Sequence, residues 1–267
     1  MKKKASKQLS SGSQTVARAM QILRLVACGQ EAGVRLTDIV QMSGLSRPTV
    51  HRILRTLVAE QAVEQDTASR RYRIGTEINL LGIARARRFP LMSVATTGLA
   101  QLAQSIGDTA FISIHHGLDS ICIGRQTGHH PIQVLSIDVG ARRPLGVGVS
   151  GVALLSCLPK DEVETITHAN RKRLAFHGLS TESLLERVNE ARRIGYAYTA
   201  AGVMPHTRAV AVPVISHTGE PLAALTITAM ADRLTSERLP SIVQIMEGQA
   251  QSIGHQYSEQ NQLSKGW

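Results

Sequence analysis

A chain of 267 residues that is 43% hydrophobic and 19% charged is neither disordered nor a single small module, and with no run of eighteen uninterrupted apolar residues it offers no membrane-spanning helix. Its three cysteines, Cys28, Cys122 and Cys157, are too few and too scattered for a disulfide framework, which points to a reducing cytoplasm. The formal charge of +10 lies in the first third, because residues 1–90 hold sixteen Lys and Arg against six Asp and Glu while residues 91–267 hold fourteen of each; that first segment is the one suited to a polyanion.

The start, Met1 to Lys7, is Lys-rich, and polar Gln8, Ser10, Ser11 and Ser13 follow where a secretory leader would place its apolar stretch. Residues 1–12 are therefore expected to be a basic, disordered arm. Ser13 is a candidate N-cap for an apolar pattern at Val16, Ala19, Met20, Leu23, Val26 and Ala27, which predicts a helix ending near Gly29. A short second helix starts at Leu36 or Thr37 and runs to Met42, and Gly44 supplies a residue able to take positive φ in a tight turn. Leu45 plugs the corner. Ser46 caps the next helix, Pro48 falls in its first turn, and Val50, Leu54, Leu57 and Val58 form its buried stripe.

The other side of that third helix carries Arg47, His51 and Arg55, with Arg52 beside them. Helix, turn and donor-bearing helix is an arrangement that the major groove accepts, with Thr49 and Arg52 expected to approach DNA most closely. A strand at Ala62 and Val63, a turn over Gln65 to Ser69 and the alternation from Arg71 to Ile74 predict a two-stranded wing with Arg70, Arg71 and Arg73 available to phosphates. Residues 13–75 thus form a winged helix-turn-helix. RNA binding or protein docking stays open as an alternative, although no aromatic stacking platform favours RNA.

Glu77 to Arg88 predicts a connecting helix, closed by Pro90, so residues 76–90 are expected to be a linker whose exposed apolar stripe suits pairing with a second copy. In residues 91–256 the expected order is a helix over Leu91–Ser105 and strands over Thr109–His115, Ser120–Gly124 and Ile132–Ile137. Helices follow over Val152–Leu158, Asp161–Thr167 and Glu182–Ile194, then strands over Tyr196–Ala200, Thr207–Val214 and Leu222–Thr228. A helix over Thr235–Ile253 completes an antiparallel α+β sensor domain, and residues 257–267 are expected to be a flexible tail.

No HExxH, CxxC or phosphate-binding loop is present, and Gly-Val-Gly-Val-Ser-Gly at 146–151 lacks the strand context of a dinucleotide site. Those glycines either bring a carboxylate close to backbone N–H groups at the start of the following helix or simply allow tight packing. His115 and His116, adjacent on one strand, point to opposite faces, so no metal site is expected there. Ser and Cys nucleophiles lack a partnering base at recognisable spacing. No catalytic residue, metal or cofactor is expected. A small-molecule-modifying enzyme with an accessory nucleic-acid-binding domain is the alternative function.

Taken together, TVARAMQILRLVA from Thr15, LTDIVQMSGLSRPTVHRILRTLVAEQAVE from Leu36, YRIG from Tyr72, GVSGVALLSCLP from Gly148, RRIGYAYTAAG from Arg192 and TRAVAVPVISHTGEPLAALTIT from Thr207 carry a resemblance. Over roughly Gln14 to Gly254 the chain resembles the IclR family of bacterial transcriptional regulators. The resemblance implies a winged helix-turn-helix, a connecting helix and a GAF-like effector domain, assembled as homodimers or homotetramers on palindromic operators. It also implies control of catabolic operons by a small organic or aromatic acid. Carried over by position, Arg18, Thr49 and Arg52 belong to the DNA-binding set, and Gly148, Val149, Thr199, Ala209, Thr226 and Thr228 to the effector pocket. Thr226 and Thr228, two apart on one strand, share a face, so both hydroxyls can donate to a carboxylate. This chain departs from the family pattern at Pro48, where serine is common, and at Ala200, Ala201, His206 and Ala209, which replace more polar positions. The pocket is therefore expected to suit an aromatic or partly apolar acid.

Overall fold

The computed structural model describes residues 11–86, 91–199 and 204–265. Contacts divide the chain into two compact units, Met1–Ala86 and Arg87–Trp267, a division that falls inside the expected linker.

In the first unit, α1 (Ser11–Ala27), α2 (Leu36–Ser43) and α3 (Arg47–Ala59) precede a hairpin of β1 (Val63–Gln65) and β2 (Tyr72–Ile74). Ile22, Val26, Ile39, Val50 and Leu54 close the core with Val63 and Tyr72. Gly44 at φ 66° ends α2 with its N–H on the Val40 carbonyl, which turns the chain sharply into α3. Val34 exchanges both backbone hydrogen bonds with Tyr72, pinning the hairpin to the helices. Two details differ from expectation. α1 starts at Ser11, so Ser13 lies inside the helix and is not its cap, while residues 1–10 of the expected arm lie outside the described residues. Ile53 is buried on α3 whereas Val58 is 38% exposed, because at about 100° per residue Val58 sits at the rim of the stripe set by Val50, Ile53, Leu54 and Leu57. The connecting helix is α4 (Thr76–Ala86), with Leu80, Leu81 and Ile83 exposed; Arg87 to Pro90 lie outside the described residues.

The second unit begins with α5 (Leu91–Ile106), β3 (Thr109–His116), β4 (Asp119–Gln126) and β5 (Arg142–Pro144). It continues through α6 (Val149–Ser156), α7 (Lys160–Phe176), α8 (Thr181–Ile194) and β6 (Ala197–Thr199). β7 (Thr207–Ile215), β8 (Pro221–Met230) and α9 (Leu239–Lys265) complete it. The sheet is antiparallel throughout, in the order β5-β4-β3-β8-β7-β6. Alternation divides its residues between two cores. Ala110, Ile112, Val210, Val212, Leu225 and Ile227 pack against α5 and α9. Ala197, Ala209, Ala211 and Ala224, all small, face α6, α7 and α8.

Ile132–Ile137 is not a strand: Ile132 and Leu135 face outward, and Gln133 instead donates to the carbonyls of Gly107 and His130 while its Oε1 accepts from Thr109. The sheet edge is formed by Arg142–Pro144, a short strand whose proline limits further pairing. α9 starts at Leu239 rather than Thr235, since Pro240 is tolerated only in a first turn. It runs to Lys265 through the expected tail and buries Tyr257 and Ser258.

Candidate functional site

On the first unit, Arg47, His51, Arg52 and Arg55 are exposed along α3. Thr49 is half-buried, and its Oγ1 lies 2.8 Å from the Ser46 hydroxyl, so Ser46 forms this side-chain contact and not the expected bond to the helix backbone. Arg35, Arg47, His51 and Arg70 line one concave surface between the starts of α2 and α3 and the wing. Arg35 was not singled out from sequence, because nothing in its spacing distinguishes it from any solvated arginine. The three wing arginines are unlike one another. Arg71 donates to the Gly33 carbonyl at 2.9 Å, and Arg73 donates to the Glu31 carbonyl at 2.7 Å and pairs with Asp66 at 3.3 Å. Arg70, at the turn with φ 57°, is exposed. Asp66 accepts from the backbone N–H and hydroxyl of Ser69 as well as from Arg73, and these bonds hold its carboxyl at about 2. Arg18 is half-buried on α1.

In the second unit one cavity, of about 40 Å³, collects all six residues expected at a pocket: Gly148, Val149, Thr199, Ala209, Thr226 and Thr228. Strand register explains the sheet side. Thr228 lies opposite Ala209, which lies opposite Thr199, and Thr226 lies opposite Phe111, so these side chains share one face. The facing wall is the first turn of α6, which begins at Val149 and not at Val152. Gly148 precedes it at φ 81° and ψ 165°, a conformation that side chains other than hydrogen resist, and no side chain caps the helix.

The glycines of this loop have separate roles. A Cβ at Gly146 would run into the Leu184 side chain, and one at Gly151 would come within 2.6 Å of the Gly146 nitrogen, so these two permit tight packing. A Cβ at Gly148 would meet nothing nearer than Arg143 Nη1 at 3.9 Å, so the space beside it opens towards the cavity.

Five hydroxyl-bearing residues line the cavity besides Thr199: Ser113, Ser136, Ser150, Thr226 and Thr228. Thr226 is only 6% exposed, and its Oγ1 makes no hydrogen bond among the described residues. Arg143, from β5, completes the wall and donates to the Ser136 carbonyl at 2.5 Å. Burial pushes its guanidinium below its ordinary pKa. Sequence reasoning missed Arg143 because an arginine beside a proline and another arginine looks like surface. The described lining contains no His, Cys, Asp or Glu, so a serine there has no general base beside it. The described lining thus offers hydrogen-bond donors without a carboxylate, a chemistry complementary to an acceptor-rich molecule.

Comparison with known proteins matches a family domain to each part of the chain. The domain described as bacterial transcriptional regulator IclR C-terminal matches residues 83–255, and the IclR helix-turn-helix domain matches residues 15–67. The glycerol operon regulatory protein of Streptomyces coelicolor is 31% identical over 231 residues, covering 84% of this chain and 87% of that protein. An IclR regulator structure from Silicibacter sp. TM1040 superposes with a TM-score of 0.77 at 22% identity, over 91% of this chain and 96% of that one. An IclR homolog of Microbacterium hydrocarbonoxydans, in complex with 4-hydroxybenzoate, gives a TM-score of 0.70 at 20% identity over 93% and 99% of the two chains. With two family domains matched in the expected order, the chain belongs to the IclR family of bacterial transcriptional regulators.

Proposed function

We propose that this regulator binds a palindromic operator as a homodimer or homotetramer in the cytoplasm and answers to a small organic acid held in the cavity of its second unit. The observation that carries the acid is the buried Thr226 hydroxyl, without a partner among the described residues, in a described lining that supplies N–H and O–H donors and no carboxylate. A compact acid suits about 40 Å³ as it stands, whereas an aromatic acid requires the lining to give way. The complex of one structural neighbour with 4-hydroxybenzoate supports a carboxylate ligand. Thr199, Thr226 and Thr228 donate to it from the sheet, the backbone at Gly148 and Val149 approaches it from α6, and Ala209 floors the site.

DNA binding is assigned to Arg47, Thr49, His51, Arg52 and Arg55 on α3 and to Arg70 on the wing, with Arg18 in support. Arg71 and Arg73 contribute with whichever donors their contacts inside the unit leave over. The exposed Leu80, Leu81 and Ile83 on α4 support pairing between copies. Relatives named for control of a glycerol operon and an acetate operon favour a catabolic operon as target. Catalysis is disfavoured by the missing general base. The test is operator binding by fluorescence anisotropy during titration with organic acids. A reversible change in DNA affinity without consumption of the acid is expected. Turnover of the acid, or an affinity that no acid changes, overturns the reading.

A further inference from the structure

Several arginines of the second unit have a carboxylate at hand. Arg125 reaches Asp138 at 3.1 Å, Arg142 and Arg173 share Asp119, and Arg233 holds Asp108 at 2.8 Å. Arg143 makes no ion pair among the described residues, although it is half-buried and lines the cavity. Its one described acceptor is a neutral carbonyl, that of Ser136, against five N–H donors on a guanidinium. The nearby Cys122 thiol does not neutralise it, because burial pushes that thiol up to about 11 and keeps it protonated at neutral pH. A desolvated cation without a counter-charge is costly, and an anion that reaches it recovers that cost. Gly148 leaves the approach open on the α6 side, where backbone N–H groups add positive potential, and Thr226 contributes a buried hydroxyl, unpartnered among the described residues, to the same space.

We infer that Arg143 is the specificity-determining residue of this cavity, pairing with the carboxylate of the bound acid beside the first turn of α6 and so selecting acids over neutral molecules of the same shape. This rests on the acid-effector reading above and adds to it the group that recognises the charge. Arg143 is a positioning and selecting residue with no chemical step of its own.

The experiment is thermal shift followed by isothermal titration of the full chain with lactate, pyruvate, benzoate and 4-hydroxybenzoate, each against its primary amide. Wild type, Arg143→Met and Arg143→Lys are compared. Binding of at least one acid and not of its amide is expected in the wild type. Arg143→Met should weaken that acid about 10- to 100-fold, as expected for a lost charge-assisted bond. Arg143→Lys should retain part of the affinity, since it keeps the charge and loses the fork. Circular dichroism of each unliganded variant separates misfolding from loss of the anchor, and if Arg143→Met does not fold, the lysine variant and the acid-to-amide ratio decide. An acid that binds wild type and a folded Arg143→Met equally, or an amide that binds as well as its acid, overturns the role of Arg143 while leaving a ligand in the cavity. Failure of every acid to bind the wild type overturns the acid-effector reading itself, and this inference with it.

Discussion

Replacing Thr226 by Val should have effects of opposite sign on stability and on ligand binding. The two side chains have nearly the same shape, so the substitution leaves the strand and its pairing with Phe111 and Ala211 intact and exchanges one hydroxyl for a methyl. In the unliganded protein that hydroxyl is buried with no partner among the described residues, and removing a buried unsatisfied group returns about 1–2 kcal/mol. For a unit of this size that is a rise of roughly 2–8 °C in Tm. In the complex the same hydroxyl donates to the acid, and its loss weakens binding by about 5- to 10-fold, more if the acceptor is charged. Differential scanning calorimetry gives the first quantity and isothermal titration the second. A variant that melts below wild type without ligand would show that the hydroxyl is already satisfied, and the argument for a ligand donor at Thr226 would fall. Unchanged acid affinity would remove Thr226 from the pocket chemistry.

Arg52→Ala should weaken operator binding by about 1–3 kcal/mol if the guanidinium reads a base bidentately. Anisotropy on operator and scrambled duplexes checks this, and an equal loss on both assigns Arg52 to the backbone. Asp108→Asn removes the charge from a carboxylate that is 2% exposed and doubly bonded by Arg233, at 2.8 and 3.0 Å. Denaturant unfolding should show a loss of about 3 kcal/mol in the second unit, and an unmoved midpoint would refute a structural role for the pair. The Asp66 carboxyl should titrate at about 2 by NMR, against an ordinary value of 3.8. Because its folded value is depressed, its contribution to the wing is complete above 3.8 and is lost as the pH falls towards 2. A midpoint near 3.8 would contradict the hydrogen bonds to Ser69 and Arg73.

Periodicity made the helices visible, because α1, α3, α5 and α8 each bury one face and expose the other. It failed where local geometry outweighs pattern. Ile132–Ile137 has strand-like composition, but Gln133 finds hydrogen-bond partners outside a ladder, and a three-residue edge carries no alternation to detect at Arg142–Pro144. The start of α6 was misplaced because its boundary is set by the φ of Gly148, which a run of small residues does not announce. The pocket residues on the sheet were legible through resemblance and through the two-residue spacing of Thr226 and Thr228. Arg143, Ser113 and Phe111 were not, since only the register of β3 and the return of β5 bring them to those threonines.

β8 is hydrogen-bonded on both sides, to β3 and to β7, and its two faces serve different ends: Leu225 and Ile227 lock into the core with α5 and α9, while Thr226 and Thr228 stand in the cavity. The hydroxyls are thus mounted on a stiff wall, and holding them in place for a ligand requires little further ordering. The helix that faces it is only eight residues long, and the edge of the sheet beside the cavity is a three-residue strand. On the acid-effector proposal, room for a larger guest comes from α6 and from the sheet's edge at β5, and the central strands are the surface against which those two are displaced.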